Sequence, residues 1–262
     1  MKNKFYHLLA KGSLIVILCF CFTMGSAQSA DTVKKWNFLT DVYLMLPNMD
    51  GETGVGNLVT VPIDANTGDI FSKLKMAGML FFEAKIEKWA ITNDFVYMKL
   101  NQEVTPGKVI ESGDVTAKEF IWETAGLYRV ASFLEVGIGG RLNNIAAEID
   151  ARRYVPGIGN STEPVSESSA KTWLDPILIT RLATDINGKW LFQFRGDVGG
   201  FGVGSDFTWQ MQAYAGYRFT KVFQLMAGYR ILGIDYDSGF DRERFIYNVD
   251  TFGPVVRMGF NF

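Results

Sequence analysis

From Trp36 to the C-terminus the chain alternates apolar with polar or small residues, segment after segment. At its end Pro254, Val256, Met258, Phe260 and Phe262 share one parity, and Gly253, Arg257, Gly259 and Asn261 the other. Successive side chains of a strand point to opposite faces, so this parity predicts a strand with one apolar and one polar face. Upstream, Trp36, Phe38, Val42, Leu44 and Leu46 oppose Asn37, Asp41 and Tyr43. Leu74, Met76, Leu80, Phe82 and Ile86 oppose Lys73, Lys75, Glu83 and Lys85. Trp89, Ile91, Phe95 and Tyr97 oppose Thr92 and Asp94, with Asn93 and Lys99 out of pattern. Phe120, Trp122, Tyr128 and Val130 oppose Glu119, Glu123 and Arg129, and Leu134, Val136, Ile138 and Leu142 oppose Glu135, Arg141 and Asn143. Four more segments, near 174–182, 190–198, 207–219 and 223–231, set Asp175, Arg181, Arg195, Asp197, Arg218 and Arg230 against an apolar row. The count is about ten strands. Eight and twelve are the alternatives, twelve if Leu58–Pro62 is a strand and residues 48–72 supply two.

Between the segments, short turns fall near Glu87-Lys88, Ala131-Ser132, Asn187-Gly188 and Thr220-Lys221. Longer polar stretches fall at about 48–72, 101–117, 150–171, 200–206 and 236–246, with a helical turn possible at 68–74. Short and long connections in alternation are what an up-and-down antiparallel barrel requires, with short turns periplasmic and long loops outside. The polar stretch Asn160–Ser169 reads as a mobile surface loop.

Which face is buried depends on the solvent. Lys2, Lys4 and Lys11 precede the apolar run Leu14–Phe22, and Gly25-Ser26-Ala27 offers small residues for cleavage. This reads as a secretory signal peptide over residues 1–27, cleaved within 27–30, ahead of a single domain at 31–262. Behind such a signal, the repeated dyad predicts an all-β transmembrane β-barrel with apolar faces toward lipid and polar faces toward the lumen. A periplasmic β-sandwich is the competing fold, because alternation alone does not say which face is inside.

Composition removes several chemistries. Cys19, Cys21 and His7 are the only thiols and imidazole, and all lie in the signal segment. The rest of the chain has no Cys/His zinc site, no disulfide and no histidine-activated nucleophile. Removing three lysines from 26 basic residues against 28 acids leaves a net charge of −5. There is no basic stripe, so nucleic acid is not an expected partner. No cofactor is expected.

The inward-facing charges are the candidate site. A hairpin centred on Ser132 sets Arg129 opposite Glu135 and Glu123 opposite Arg141, the stabilising cross-strand arrangement. With Arg181, Arg195, Asp197, Arg218, Arg230 and Arg257 they form a lumen ion-pair network of nearly balanced sign. Small barrels have side-chain-filled bores, so the network reads as a plug, with a narrow solute path as the alternative. Arg195-Gly196-Asp197 spells an adhesion tripeptide but lies mid-strand facing inward. Gly199–Gly204 is a glycine-rich rim, since no helix follows it to meet a phosphate. Asp235, Asp237, Asp241 and Glu243 are weak calcium candidates on a hairpin tip whose spacing departs from the EF-hand pattern.

The signal segment, dyad repeat, alternating loop lengths and terminal Phe262 resemble the outer-membrane β-barrel proteins of Gram-negative bacteria, of the small OmpA type. Trp173–Pro176, Arg195–Trp209 and Gly228-Tyr229-Arg230 resemble an uncharacterised subgroup of them. The resemblance implies an outer-membrane location, lipid and lipopolysaccharide as surroundings, and Phe262 as a sorting residue read by the barrel-assembly machinery. Enzymes built on such barrels, the phospholipases, palmitoyltransferases and omptin-like proteases, depend on histidine, so the expectation is a non-enzyme. A structural or interaction role through extracellular loops, with an unspecified partner, is expected first, and a channel or carrier for small or hydrophobic solutes second.

Overall fold

Alternation this regular leaves the chain one economical arrangement in lipid, a sheet closed on itself so that no backbone group is left unpaired. The computed structural model describes residues 35–55, 60–103, 110–154, 162–241 and 244–262, and Trp36–Phe262 form one unit. The signal segment, Leu58-Val59 and Asn160-Ser161 lie outside the described residues. The elements run β1 (Asn37–Met45), β2 (Asn48–Val55), β3 (Val61–Ala65), helix α1 (Thr67–Lys73), β4 (Leu74–Ile86), β5 (Trp89–Glu103), β6 (Ile110–Ala131), β7 (Leu134–Tyr154), β8 (Thr162–Ile186), β9 (Trp190–Gly200), β10 (Phe207–Arg218), β11 (Phe223–Ser238) and β12 (Phe245–Asn261).

Strands β1 and β4 to β12 pair antiparallel with their neighbours, and β1 pairs with β12 to close a ring of ten. The seam is continuous: Asp41 faces Gly259, Tyr43 faces Arg257, and Phe38 and Phe262 exchange backbone hydrogen bonds of 3.2 and 2.9 Å. Strands β2 and β3 stand outside the ring, added to the upper edge of β12. Helix α1 starts on a capping box, in which Asn66 accepts from the Asp69 amide and Asp69 accepts from the Asn66 amide.

The outer surface is apolar. Phe192, Phe260, Leu178, Val198 and Met211 are all exposed. At the short-turn end rings meet side by side around the outside. Trp36 touches Phe38 and Phe38 touches Phe82, Trp89 packs on Tyr128, and Trp190, Tyr217, Phe219, Phe223 and Phe260 form an unbroken run with centroids 5.1–5.8 Å apart. An aromatic girdle flanking an apolar band marks a membrane–water boundary. Asn93, which breaks the apolar row, is satisfied there: its Oδ1 accepts from the Trp122 indole at 3.2 Å.

Three expectations change. The polar stretches at 101–103, 110–117, 150–154 and 162–171 are strand, not loop. The β7–β8 ladder continues to Tyr154 opposite Thr162, whereas the β8–β9 ladder stops at Ile177. A strand with water on both faces needs no apolar row, so it carries no dyad signal to read. Second, Lys75 does not face the lumen: the β4–β5 register slips between Leu74 and Met76, and Lys75 is exposed. Third, the inward face is not uniformly polar. Tyr43, Met45, Phe81, Tyr214 and Val255 form one buried apolar cluster, and Trp173, Ile234, Tyr236, Phe245 and Tyr247 form another toward the tall end. A bore closed by side chains can fill with either kind.

An arginine in place of Met211, on the outer face near the middle of β10, should cost about 2–4 kcal/mol in liposomes. Ser168→Arg, on the part of β8 above the belt, should stay within about 0.5 kcal/mol. Urea unfolding of the two variants in lipid measures the contrast, and equal, small effects would mean that the belt is not in hydrocarbon.

Candidate functional site: the charged interior

Inward parity delivers charges from every part of the ring, and the bore is narrow enough for them to meet. Toward the short-turn end, Arg181 of β8 binds Glu83 of β4 and Glu135 of β7, with Nε donating to Glu135 Oε2 at 2.7 Å. Lys85 adds contacts of 3.1 Å to Glu83 and 3.6 Å to Glu135, and Arg129 lies 3.3 Å from Glu135.

Mid-bore, Arg141 is fully buried. It donates to Glu123 at 2.9 Å, Asp197 at 2.6 Å and the Thr208 hydroxyl at 2.9 Å. Arg195 binds Glu123 and lies 3.2 Å from Asp197. The Gln210 amide donates to Asp197 at 2.9 Å and to Glu123 at 3.3 Å. Beside this group, Asp94 accepts from Tyr43 at 2.6 Å and from Arg230 at 3.1 Å. Arg257 grips Asp41 Oδ2 through Nε and Nη2, at 2.8 and 2.6 Å. Its guanidinium carbon lies 4.5, 5.0 and 5.4 Å from the ring centres of Phe81, Tyr214 and Tyr43, a cation held among aromatic walls.

Asp175 closes the tall end. It accepts from Asn143 at 2.8 Å, Trp173 Nε1 at 3.2 Å, the Ser205 amide at 2.5 Å and the Ser205 hydroxyl at 2.9 Å. The β9–β10 turn reaches it because Gly200 takes φ +84° and because a side chain at Gly204 would strike the Asp175 carboxylate. The glycine run is thus a turn folded against an inward carboxylate. Trp173 then stacks on Tyr236, centroids 4.0 Å apart.

Several bonds cross the bore. Arg181 to Glu83, Gln210 to Glu123, Arg230 to Asp94, and Tyr247 to Glu119 at 3.4 Å each join strands four places apart in the ring of ten. Of the expected network residues, Glu123, Glu135, Arg141, Arg181, Arg195, Asp197, Arg230 and Arg257 are buried, and Arg129 is half-buried. Arg218 is a correction. It lies at the end of its strand, 3.7 Å from Asp185 and donating to the Gly188 carbonyl at 3.1 Å, outside the buried group. Tyr43, Asn143, Trp173, Ser205, Thr208 and Gln210 are partners that charge alone does not flag. Their inward parity was legible for Tyr43, Asn143, Thr208 and Gln210.

Above the belt the carboxylates behave differently. Asp235 and Asp237 end β11, Asp241 follows, and Glu243 lies outside the described residues. Asp237 is taken by Arg244, which donates to both oxygens at 3.0 and 2.5 Å and holds the Asp237 carboxyl below its ordinary value. Among the described residues no group of three or more carboxylates gathers as metal ligands. On the outer wall Asp250 faces Asp50, and Asp50 faces Asp64, across β12, β2 and β3. Partial burial, then Asp50, push the Asp250 carboxyl up.

No family model matches the chain, and no curated protein matches it. Among solved structures it is similar to the outer membrane protease OmpT from Escherichia coli, at 7% identity over 90% of this chain and 99% of that one, TM-score 0.49. It is also similar to Ail, the attachment invasion locus protein of Yersinia pestis, at 11% identity, 88% and 100% coverage, TM-score 0.36. The toluene transporter TodX of Pseudomonas putida matches at 9% identity, 88% and 89% coverage, TM-score 0.35. None of these transfers an activity. The chain's own geometry, a closed antiparallel ring with an apolar, aromatic-girdled exterior and ionised interior, defines a membrane-spanning β-barrel of the kind that occupies the outer membrane of Gram-negative bacteria.

Replacing Arg257 by Met should destabilise the barrel by about 3–5 kcal/mol, because Asp41 is left buried and unpaired, and adding Asp41→Asn should recover much of that loss. Unfolding of both singles and the double variant gives the coupling, and simple additivity would mean that the two side chains act independently. For the aspartate ladder the sign is reversed. A carboxyl with a raised folded pKa weakens the folded form above that pKa, so Asp250→Asn should slow amide exchange in β2 at pH 7. The gain should fade as pH drops through the raised Asp250 value, since the native residue is then neutral too.

Proposed function

We propose that this protein is an integral outer-membrane barrel whose bore is a solid, charge-filled core and whose work is done at its extracellular end, in a structural or interaction role. The observation that carries the reading is the set of side chains joining strands four apart through the centre of a ten-stranded ring. Each such bond occupies space a solute would need. An enclosed space among them is small, about 30 Å³ between Met45, Met79, Met98 and Glu119.

The tall end supports an interaction role. Strands β6, β7 and β8 are 22, 21 and 25 residues long, about twice what a tilted strand needs to cross hydrocarbon. The surplus stands on the side opposite the short turns, the extracellular side in barrels of this type. Its outer strands carry paired charges, such as Lys118 with Glu148 and Arg153 with Glu163, each at 2.5 Å. Lipid and lipopolysaccharide surround the belt in this reading, and Phe262, exposed at the closing seam, is the residue offered to the assembly machinery. We assign no catalytic role: the chain beyond Cys21 has neither histidine nor cysteine, and the inward carboxylates of the mid-bore group are held by arginines.

In planar bilayers the purified barrel should insert without unitary conductance steps. Steady single-channel openings from the wild-type protein would replace the closed-core reading by the narrow-channel one.

A further inference from the structure

At the short-turn end, in front of the Arg181 pairs, the outermost cations make looser contacts and a cavity opens beside them. It measures about 490 Å³ and is lined by Lys85, Arg129 and Arg218, by the carboxylates Glu83, Glu135 and Asp185, and by Leu39, Leu191 and Met226. In the middle of the bore Arg141 and Arg257 hold carboxylates at 2.6 Å. The cations at this cavity make longer contacts: Arg129 to Glu135 at 3.3 Å, Lys85 to Glu83 at 3.1 Å and to Glu135 at 3.6 Å, and Arg218 to Asp185 at 3.7 Å. A well-formed pair of this type closes to about 2.7–2.9 Å. All three cations keep roughly a third of their side-chain surface exposed.

Glu83 and Glu135 are already served from behind by Arg181, which is itself buried. One guanidinium balances one of those two charges, so Lys85 and Arg129 together exceed the other by one cation, and both face the cavity with donors to spare. Behind them the floor is apolar, because Leu191 and Met226 belong to the buried cluster that fills the lower bore. A mouth with one positive charge in excess over an apolar floor suits one chemistry: an anionic headgroup, carboxylate or phosphate, on an apolar body.

We propose that this vestibule is a binding site for small amphipathic anions reaching the barrel from the periplasmic side. The anion sits between Lys85 and Arg129, with Arg218 across the mouth, and the apolar body lies on Leu191 and Met226. The volume suits a body of about sixteen water volumes. The site is independent of whether the bore conducts, since it lies below the cross-bore contacts and needs only one opening.

The test is methyl NMR of the full-length barrel in nanodiscs, with labelled methionine. Met226 lines the cavity, and Met258, exposed on the outer face, reports partition into the lipid surroundings. The probes are octanoate, octyl phosphate, octanol and inorganic phosphate. Octanoate, octyl phosphate or both should shift Met226 saturably without shifting Met258, which identifies the headgroup. Lys85→Gln with Arg129→Gln should weaken that binding at least tenfold, and Arg218→Gln alone, at the strand end, about threefold. Octanol acting as well as octanoate would mean apolar partition and overturn the proposal. Inorganic phosphate acting alone would remove the apolar body from it. Unchanged affinity in a folded double variant, or no saturable shift with any probe, would also overturn it.

Discussion

Arginines that reach carboxylates across a closed ring are the constraint on which the rest of this barrel depends. An ionised side chain buried inside the bore must find its opposite, since leaving it unpaired costs several kcal/mol. Arg141 finds Glu123 on the neighbouring strand and Asp197 two strands away, and is fully covered. Such pairs add little net stability over well-packed apolar side chains. Their effect is on geometry: a shift of β7 by one residue would turn Arg141 into lipid. We therefore regard the network as what sets the register of the ring.

The apolar parts of the interior fit around that network. Arg257 lies among Tyr43, Phe81 and Tyr214, which supply both packing and a favourable face for the cation. Trp173 closes the upper bore on Tyr236 while its indole donates to Asp175 and Ser205. The outside needs none of this specificity. It has to be apolar at the right height and aromatic at the boundary, and the ring contacts from Trp190 to Phe260 provide the latter.

Much of the ring was legible in the sequence because a lipid-facing strand must show one apolar row. Parity together with a turn centred on Ser132 put Arg129 opposite Glu135 and Glu123 opposite Arg141, and these are the facing pairs. It failed where its physical cause is absent. The tall parts of β6, β7 and β8, and the short β2 and β3, have no lipid to satisfy, so residues 162–171 looked like loop. Parity also could not show which inward charges meet across the bore. Arg181 and Glu83 are 98 residues apart, and only closure of the ring brings them together. Arg218 has the right parity but lies at the end of its strand, where facing inward no longer means buried.

The most direct measurement is a spin-label scan along β10, Phe207–Arg218, in a chain that has no cysteine after Cys21. Labels at 207, 211, 213 and 215 should collide with oxygen dissolved in the bilayer. Labels at the buried 208, 210, 212 and 214 should collide with neither oxygen nor a water-soluble nickel complex. Nickel collisions at 210 and 212 in a folded barrel would reveal a hydrated bore and contradict the account.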